Sequence, residues 1–180
     1  DLDSDGDLDV LRLGIRPELL NNNGDGTWQS VRDPVTGFPQ SSGHARRVVV
    51  ADFDGDLDTD VLLLGERQAA RLWINDRLWS WHPAGATYDA ILDANLHAVV
   101  AVDFDADGEV ELIAQTDKHE LQVWSRPTRH GPSLLTAANW SPHTLLEGSN
   151  RSALRPLQLA VADLTGDGHM EVLASMDGGF

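Results

Sequence analysis

The sequence has no cysteine, a single lysine (Lys118), a single tyrosine (Tyr88), and only short apolar runs, such as residues 61–64. The missing cysteines exclude disulfide staples, thiolate zinc sites and a cysteine nucleophile. The short runs exclude a membrane-spanning helix in this stretch of chain. Positive charge is scarce as well: 13 bases stand against 29 acids, giving a formal charge of −16. A chain so acidic repels phosphates, so nucleic acid is not an expected partner. Neither a phosphate-cradling glycine loop nor a Gly-x-Ser-x-Gly elbow occurs. The seven histidines fall at no metal-ligand spacing, and no positive sign of catalysis is present.

What is abundant is aspartate, and it is not spread evenly. Most of the acids lie in four short stretches that align with one another: residues 1–9 (DLDSDGDLD), 52–60 (DFDGDLDTD), 103–111 (DFDADGEVE) and 163–171 (DLTGDGHME). Their starts lie 51, 51 and 60 residues apart. Such self-similarity at a fixed period is the mark of a repeat architecture. A small apolar run precedes three of the copies (48–51, 99–102, 159–162) and another follows each copy. The unit therefore reads strand, acidic loop, strand, because short valine-rich runs bounded by turn residues suit buried strands rather than helices.

Two further strands fit in each unit. They are expected at 18–21 and 27–31, at 70–75 and 78–82, and at 120–125 and 143–147. Between the first pair, Asn22, Asn23, Gly24, Asp25 and Gly26 form a strong hairpin signal, since Asn and Gly tolerate positive φ. Four strands in about fifty residues describe a propeller blade. The expected fold is all-β: a partial β-propeller of four-stranded antiparallel blades, with an Asp-rich calcium loop between the first two strands of each. A β-sandwich is the alternative, but it does not explain the regular return of the acidic loop. The expected division is a partial blade over 1–45, blades over 46–96 and 97–155, and the start of another over 156–180. Beginning at Asp1 inside one copy of the motif, and ending at Phe180 just after another, the chain is expected to be a piece of a longer protein.

Alternate positions of a tightly turned loop can converge on one point, so positions 1, 3, 5, 7 and 9 are the candidate ligands. They are Asp1, Asp3, Asp5, Asp7 and Asp9; Asp52, Asp54, Asp56, Asp58 and Asp60; Asp103, Asp105, Asp107, Glu109 and Glu111; and Asp163, Thr165, Asp167, His169 and Glu171. Carboxylates packed so closely repel unless a cation joins them. A hard divalent ion is that cation, and calcium takes six to eight oxygen ligands. Position 7 is expected to offer its backbone carbonyl and position 9 a closing carboxylate. An EF-hand would need a Glu at position 12; here that position holds Arg12, Leu63, Ala114 and Ala174. Copy two has Leu57 where the turn calls for Gly, and copy four has Thr165 and only three carboxylates, so it is expected to bind most weakly. Four divalent ions would halve the net charge.

The acidic loops, the Val-Ala or Ala-Val before them, and the stretch 20–28 (LNNNGDGTW) resemble the FG-GAP and VCBS type repeats of integrin-α-like propellers. The resemblance covers nearly the whole chain. It implies calcium in the loops and a role in cell adhesion, ligand binding or scaffolding, with an unknown protein or glycan as partner. Extracellular calcium modules bind at roughly 10⁻⁴–10⁻³ M, too weakly to fill at cytosolic calcium. The expected location is therefore extracellular, periplasmic or at the cell surface. The alternative function is a propeller scaffold for a secreted polysaccharide lyase or hydrolase whose active site lies mostly outside this stretch.

Among the six tryptophans, Trp73 and Trp124 take matching places in successive units, which points to packing. Trp79 and Trp81, sharing one face of an expected strand, are the candidates for stacking on a sugar. The segment 125–155 carries the nine extra residues of the third repeat and two sequon-like triplets, at Asn139 and Asn150. An extended loop on a rigid scaffold is a candidate binding element, although a tolerated surface insertion is the simpler reading.

Overall fold

A computed structural model describes residues 1–14, 17–31, 37–38, 45–65, 70–77, 79–116, 120–126, 140–146 and 156–176. The sequons at Asn139 and Asn150, Lys118, His119, His130 and most of segment 125–155 lie outside them. The chain is all-β with antiparallel sheets and divides into two compact units, Asp1–Ala84 and Gly85–Phe180. No helix among the described residues is long and apolar enough to cross a membrane.

The first unit holds two sheets. One contains β1 (Val10–Arg12), β2 (Glu18–Asn22) and β3 (Trp28–Val31), in that order; the other contains β4 (Ala45–Ala51), β5 (Asp60–Gly65), β6 (Arg71–Asn75) and β7 (Trp81–Pro83). The hairpin signal at 22–26 does join β2 to β3, with Gly24 and Gly26 at positive φ and the Asn23 N–H donating to the Thr27 carbonyl. β5 is apolar on both faces because both are covered, which explains its unbroken VLLL run. One core ties the two sheets together: Leu2 and Leu19 from the first meet Val61, Leu63 and Trp81 from the second, with Phe38 between.

The second unit contains β8 (Val99–Val102), β9 (Glu111–Gln115), β10 (Leu121–Ser125) and β11 (Ser141–Leu146) in one sheet, and β12 (Pro156–Ala162) with β13 (Glu171–Met176) in another. β9 is buried throughout, like β5. Ala98, Ile113, Val123 and Leu159 form its core. The registers repeat between the units. Val50, Val61, Trp73 and Pro83 lie in one cross-strand row, and Ala101, Leu112, Trp124 and Pro142 in another.

Two sequence expectations are corrected. The strand expected at 78–82 begins only at Trp81: the Asp76 N–H donates to the Ser80 carbonyl and the Ser80 N–H to the Arg77 carbonyl, with Arg77 and Trp79 at positive φ. Trp79 is therefore not on a strand face: it packs against the first core, and Trp81 is buried within it. Neither offers a free ring to a sugar, whereas Trp28, on the first hairpin, is half-exposed. The sequence also gave no sign of the helical turn Ala86–Tyr88 that runs into the one-turn helix α1 (Asp89–Leu92), which buries Ile91.

Ile113→Ala is expected to lower stability by about 2–5 kcal/mol, as a large-to-small change at a fully buried site. Leu146→Thr, on an exposed stretch of β11, should stay within about 0.5 kcal/mol. Urea denaturation of the two variants beside the parent chain checks both values.

Candidate metal centre

The acidic loops join β4 to β5, β8 to β9 and β12 to β13, and a fourth leads into β1. Position 9 is both the last loop residue and the partner of the residue just before the loop: Ala51 pairs with Asp60, Val102 with Glu111 and Ala162 with Glu171. The loop is thus clamped at both ends by the sheet.

Within the loop, backbone N–H groups wrap the carboxylates in a repeated pattern. Position 1 accepts from positions 5 and 6 in every copy: Asp1 from Asp5 and Gly6 (3.1 Å each), Asp52 from Asp56 and Leu57 (3.2 and 2.9 Å), Asp103 from Asp107 and Gly108 (3.1 and 3.0 Å), and Asp163 from Asp167 and Gly168 (3.2 and 2.9 Å). Position 5 accepts from position 7 at 2.8–2.9 Å throughout. Position 9 accepts from position 2 at 2.6–2.8 Å throughout. Aiming the N–H groups inward requires left-handed backbone at two places. Position 6 is one (Gly6, Leu57, Gly108, Gly168); position 4, unremarked in the sequence, is the other (Ser4, Gly55, Ala106, Gly166).

Three loops bring three carboxylate oxygens within 4.8 Å of one another: Asp1, Asp3 and Asp5; Asp52, Asp54 and Asp60; and Asp103, Asp105 and Glu111. The fourth loop, with Thr165 at position 3, is not among them. The position-7 side chains are engaged elsewhere. Asp58, only 3% exposed, accepts from Arg77 Nε (2.9 and 3.0 Å) and from Ser4 Oγ (3.1 Å). Glu109 pairs with Arg126 at 3.6 Å, and Arg126 also stacks on the Trp140 ring. His169 donates its backbone N–H to Asp167. Asp7 occupies the space that a side chain at Gly24 would need.

Burial, and behind it the crowding of like charges, raises the proton affinity of Asp3, Asp54, Asp60 and Glu111. Asp60, wholly buried, is pushed up to about 7, first by burial and then by Asp54 and Asp52, against the pull of two N–H donors, from Asn75 and Phe53. Asp54 is pushed up to about 6 by burial and by Asp56. Burial, then neighbouring acids, raise Asp3 and Glu111. Asp163 goes the other way, lowered chiefly by the Gly168 N–H. Oxygen donors alone, some desolvated and held at one point, suit a hard divalent cation and not zinc or copper.

Sequence reasoning overlooked one group. Asn22 and Asn75 end β2 and β6, each donating its N–H to the closing acid, Asp9 at 3.0 Å and Asp60 at 2.8 Å. Each also reaches the position-8 carbonyl with its amide, Leu8 and Thr59, at 3.3 Å. The recurrence of Asn two residues after Leu20 and Trp73 was the available signal.

The model of the FG-GAP-like repeat matches this chain twice, over residues 1–63 and 52–114. Among curated relatives, the T-cell immunomodulatory protein of Mus musculus is 28% identical over 181 aligned residues, which cover 96% of this chain and 28% of the relative. That of Homo sapiens is 30% identical over 129 residues, covering 69% of this chain and 19% of the relative. The chain thus spans less than a third of the length of the curated relatives it matches.

Two predictions follow from the loop geometry. Leu57 is 86% exposed and sits at φ 76°, so Leu57→Gly should relieve left-handed strain without losing packing and raise stability by up to about 1 kcal/mol in a thermal melt. Asp60 and Asp54 keep their protons to higher pH in the folded chain than in the unfolded. The folded state therefore holds more protons between about pH 4 and pH 7, and in chelator their contribution to stability falls as pH rises through that window. The urea midpoint should be higher at pH 5 than at pH 7, and Asp60→Asn should flatten the difference.

Proposed function

The chain belongs to the FG-GAP-like repeat family, and from that premise we propose that its four sheets are successive blades of a calcium-stabilised β-propeller. The blades are those expected over 1–45, 46–96, 97–155 and 156–180. The propeller serves a longer extracellular, periplasmic or cell-surface protein as a module that binds a protein or glycan. The observation that carries this reading is the convergence of three carboxylates in three loops that recur in phase. Asp1, Asp3 and Asp5, then Asp52, Asp54 and Asp60, then Asp103, Asp105 and Glu111 are the side chains that would hold the ion. Backbone carbonyls at position 7 would complete each set. Bound calcium would supply charge neutralisation, allowing acids that otherwise compete for a proton to stay ionised together. Its role here is to stiffen the loop between two strands, not to assist a reaction.

Thermal melts with calcium and with excess chelator, followed by titration calorimetry, test the reading. Calcium should raise the melting temperature by several degrees, with two or more sites of micromolar to millimolar affinity. Asp54→Ala and Asp105→Ala should each remove one site, while Asp163→Ala should change the titration least. Identical melts and no binding heat would sink the proposal. Affinity should also fall below pH 7, as Asp60 and then Asp54 take up protons in competition with the ion.

A further inference from the structure

Asn75 does more than its counterpart Asn22. Both fasten the closing acid of their own repeat, but Asn75 also reaches into the neighbouring loop. Its amide Nδ2 donates to the Leu2 carbonyl at 2.8 Å, across 73 residues of sequence. Leu2 in turn donates its own N–H to the closing acid of the first loop, Asp9 Oδ2, at 2.6 Å. Asn75 donates its N–H to the closing acid of the second, Asp60 Oδ1, at 2.8 Å. An unbroken run of hydrogen bonds therefore joins Asp9 to Asp60 through Leu2 and Asn75. A second bond crosses between the same loops, from Ser4 Oγ to the buried Asp58 carboxylate, which Arg77 holds in place.

The surroundings make this join stiff. Asn75 is wholly buried, and its Oδ1 has no hydrogen-bond partner among the described residues. A buried amide left half-satisfied does not serve stability well, since an apolar side chain would avoid the desolvation of that oxygen. What it supplies is a fixed donor pointing at Leu2. Leu2 is itself packed in the core shared by the two sheets, so a shift of its carbonyl cannot be absorbed locally.

We propose that Asn75 couples the first two acidic loops, so that occupancy of one by calcium raises the affinity of the other; this rests on the calcium reading above. Ordering Asp60 fixes Asn75, Asn75 fixes Leu2, and Leu2 presents its N–H to Asp9 in the geometry the first loop needs. The conformational freedom removed by filling one loop is then not lost again when the other fills. The effect must be equal in both directions.

Calcium titration of the whole chain, followed by the amide resonances of Gly6, Gly55 and Gly108, reads loops one, two and three separately. Asp3→Ala, which disables loop one, should weaken loop two by about 5-fold or more and leave loop three within about 2-fold. In an Asn75→Ala background, the same change should weaken loop two by less than about 2-fold. Should Asn75→Ala not fold, Ser4→Gly removes the other crossing bond while suiting the left-handed backbone there, and it should reduce the coupling in its place. Loop-two affinity that ignores Asp3→Ala overturns the proposal, as does coupling undiminished by either background or a loop-three loss as large as that of loop two. No calcium response at any of the three glycines would remove the calcium reading itself, and the coupling with it.

Discussion

Everything in the repeat turns on one electrostatic problem: how to gather like charges at a point and keep the chain folded around them. The solution is local and backbone-borne. The carboxylate at position 1 sits in a ring of N–H dipoles from positions 5 and 6, in all four copies. Successive inward N–H groups of this sort form an anion-holding concavity. They require left-handed residues at positions 4 and 6, which is why Gly, Ser, Ala and one exposed Leu alternate with the acids. The strands are placed by the same arrangement, because position 9 both opens the second strand and caps the position-2 N–H.

Around this constant loop the copies differ in how they treat the position-7 acid. In the first unit Asp7 lies against Gly24, and in the next sheet the corresponding left-handed residue is Arg77, at the same φ of 67°. A side chain is possible there because it is the cation that pairs with Asp58. The second compact unit uses another answer, Arg126, which meets Glu109 and the face of Trp140. Desolvating Asp58 without a partner would be strongly unfavourable, so Asp58 and Arg77 form one energetic unit: removing Arg77 would strand a buried charge.

Much of this was legible in the sequence, and the reasons are specific. The apolar runs at 61–64 and 112–114 each follow directly on a loop's closing acid, so buried strands were the natural reading, and β5 and β9 are those strands. The Asn-Gly-Asp-Gly hairpin and the strand pairs on either side of each acidic loop were readable from turn chemistry. Strand ends were less so. Trp79 and Trp81 alternate as strand residues should, yet Trp79 takes a left-handed backbone and leaves the sheet, and tertiary packing, not local pattern, decides that. The pairing of Asn75 with Leu2 could not be read at all. Nothing in one repeat announces which residue of another it will touch.

The spacing between loop starts varies, 51, 51 and 60 residues, but the loop itself is always nine. The clamp explains why. Adding or deleting one residue between positions 1 and 9 would break the position-9 bond to position 2 and shift the second strand by one place, exchanging the side chains that β5 or β9 packs on its two buried faces. Length is thus frozen where the chain turns most sharply and free where it runs farther from the acids. In a lineage built by duplicating this unit, the acidic loop would act as the fixed reading frame, and novelty would enter only through the segments that connect the outer strands.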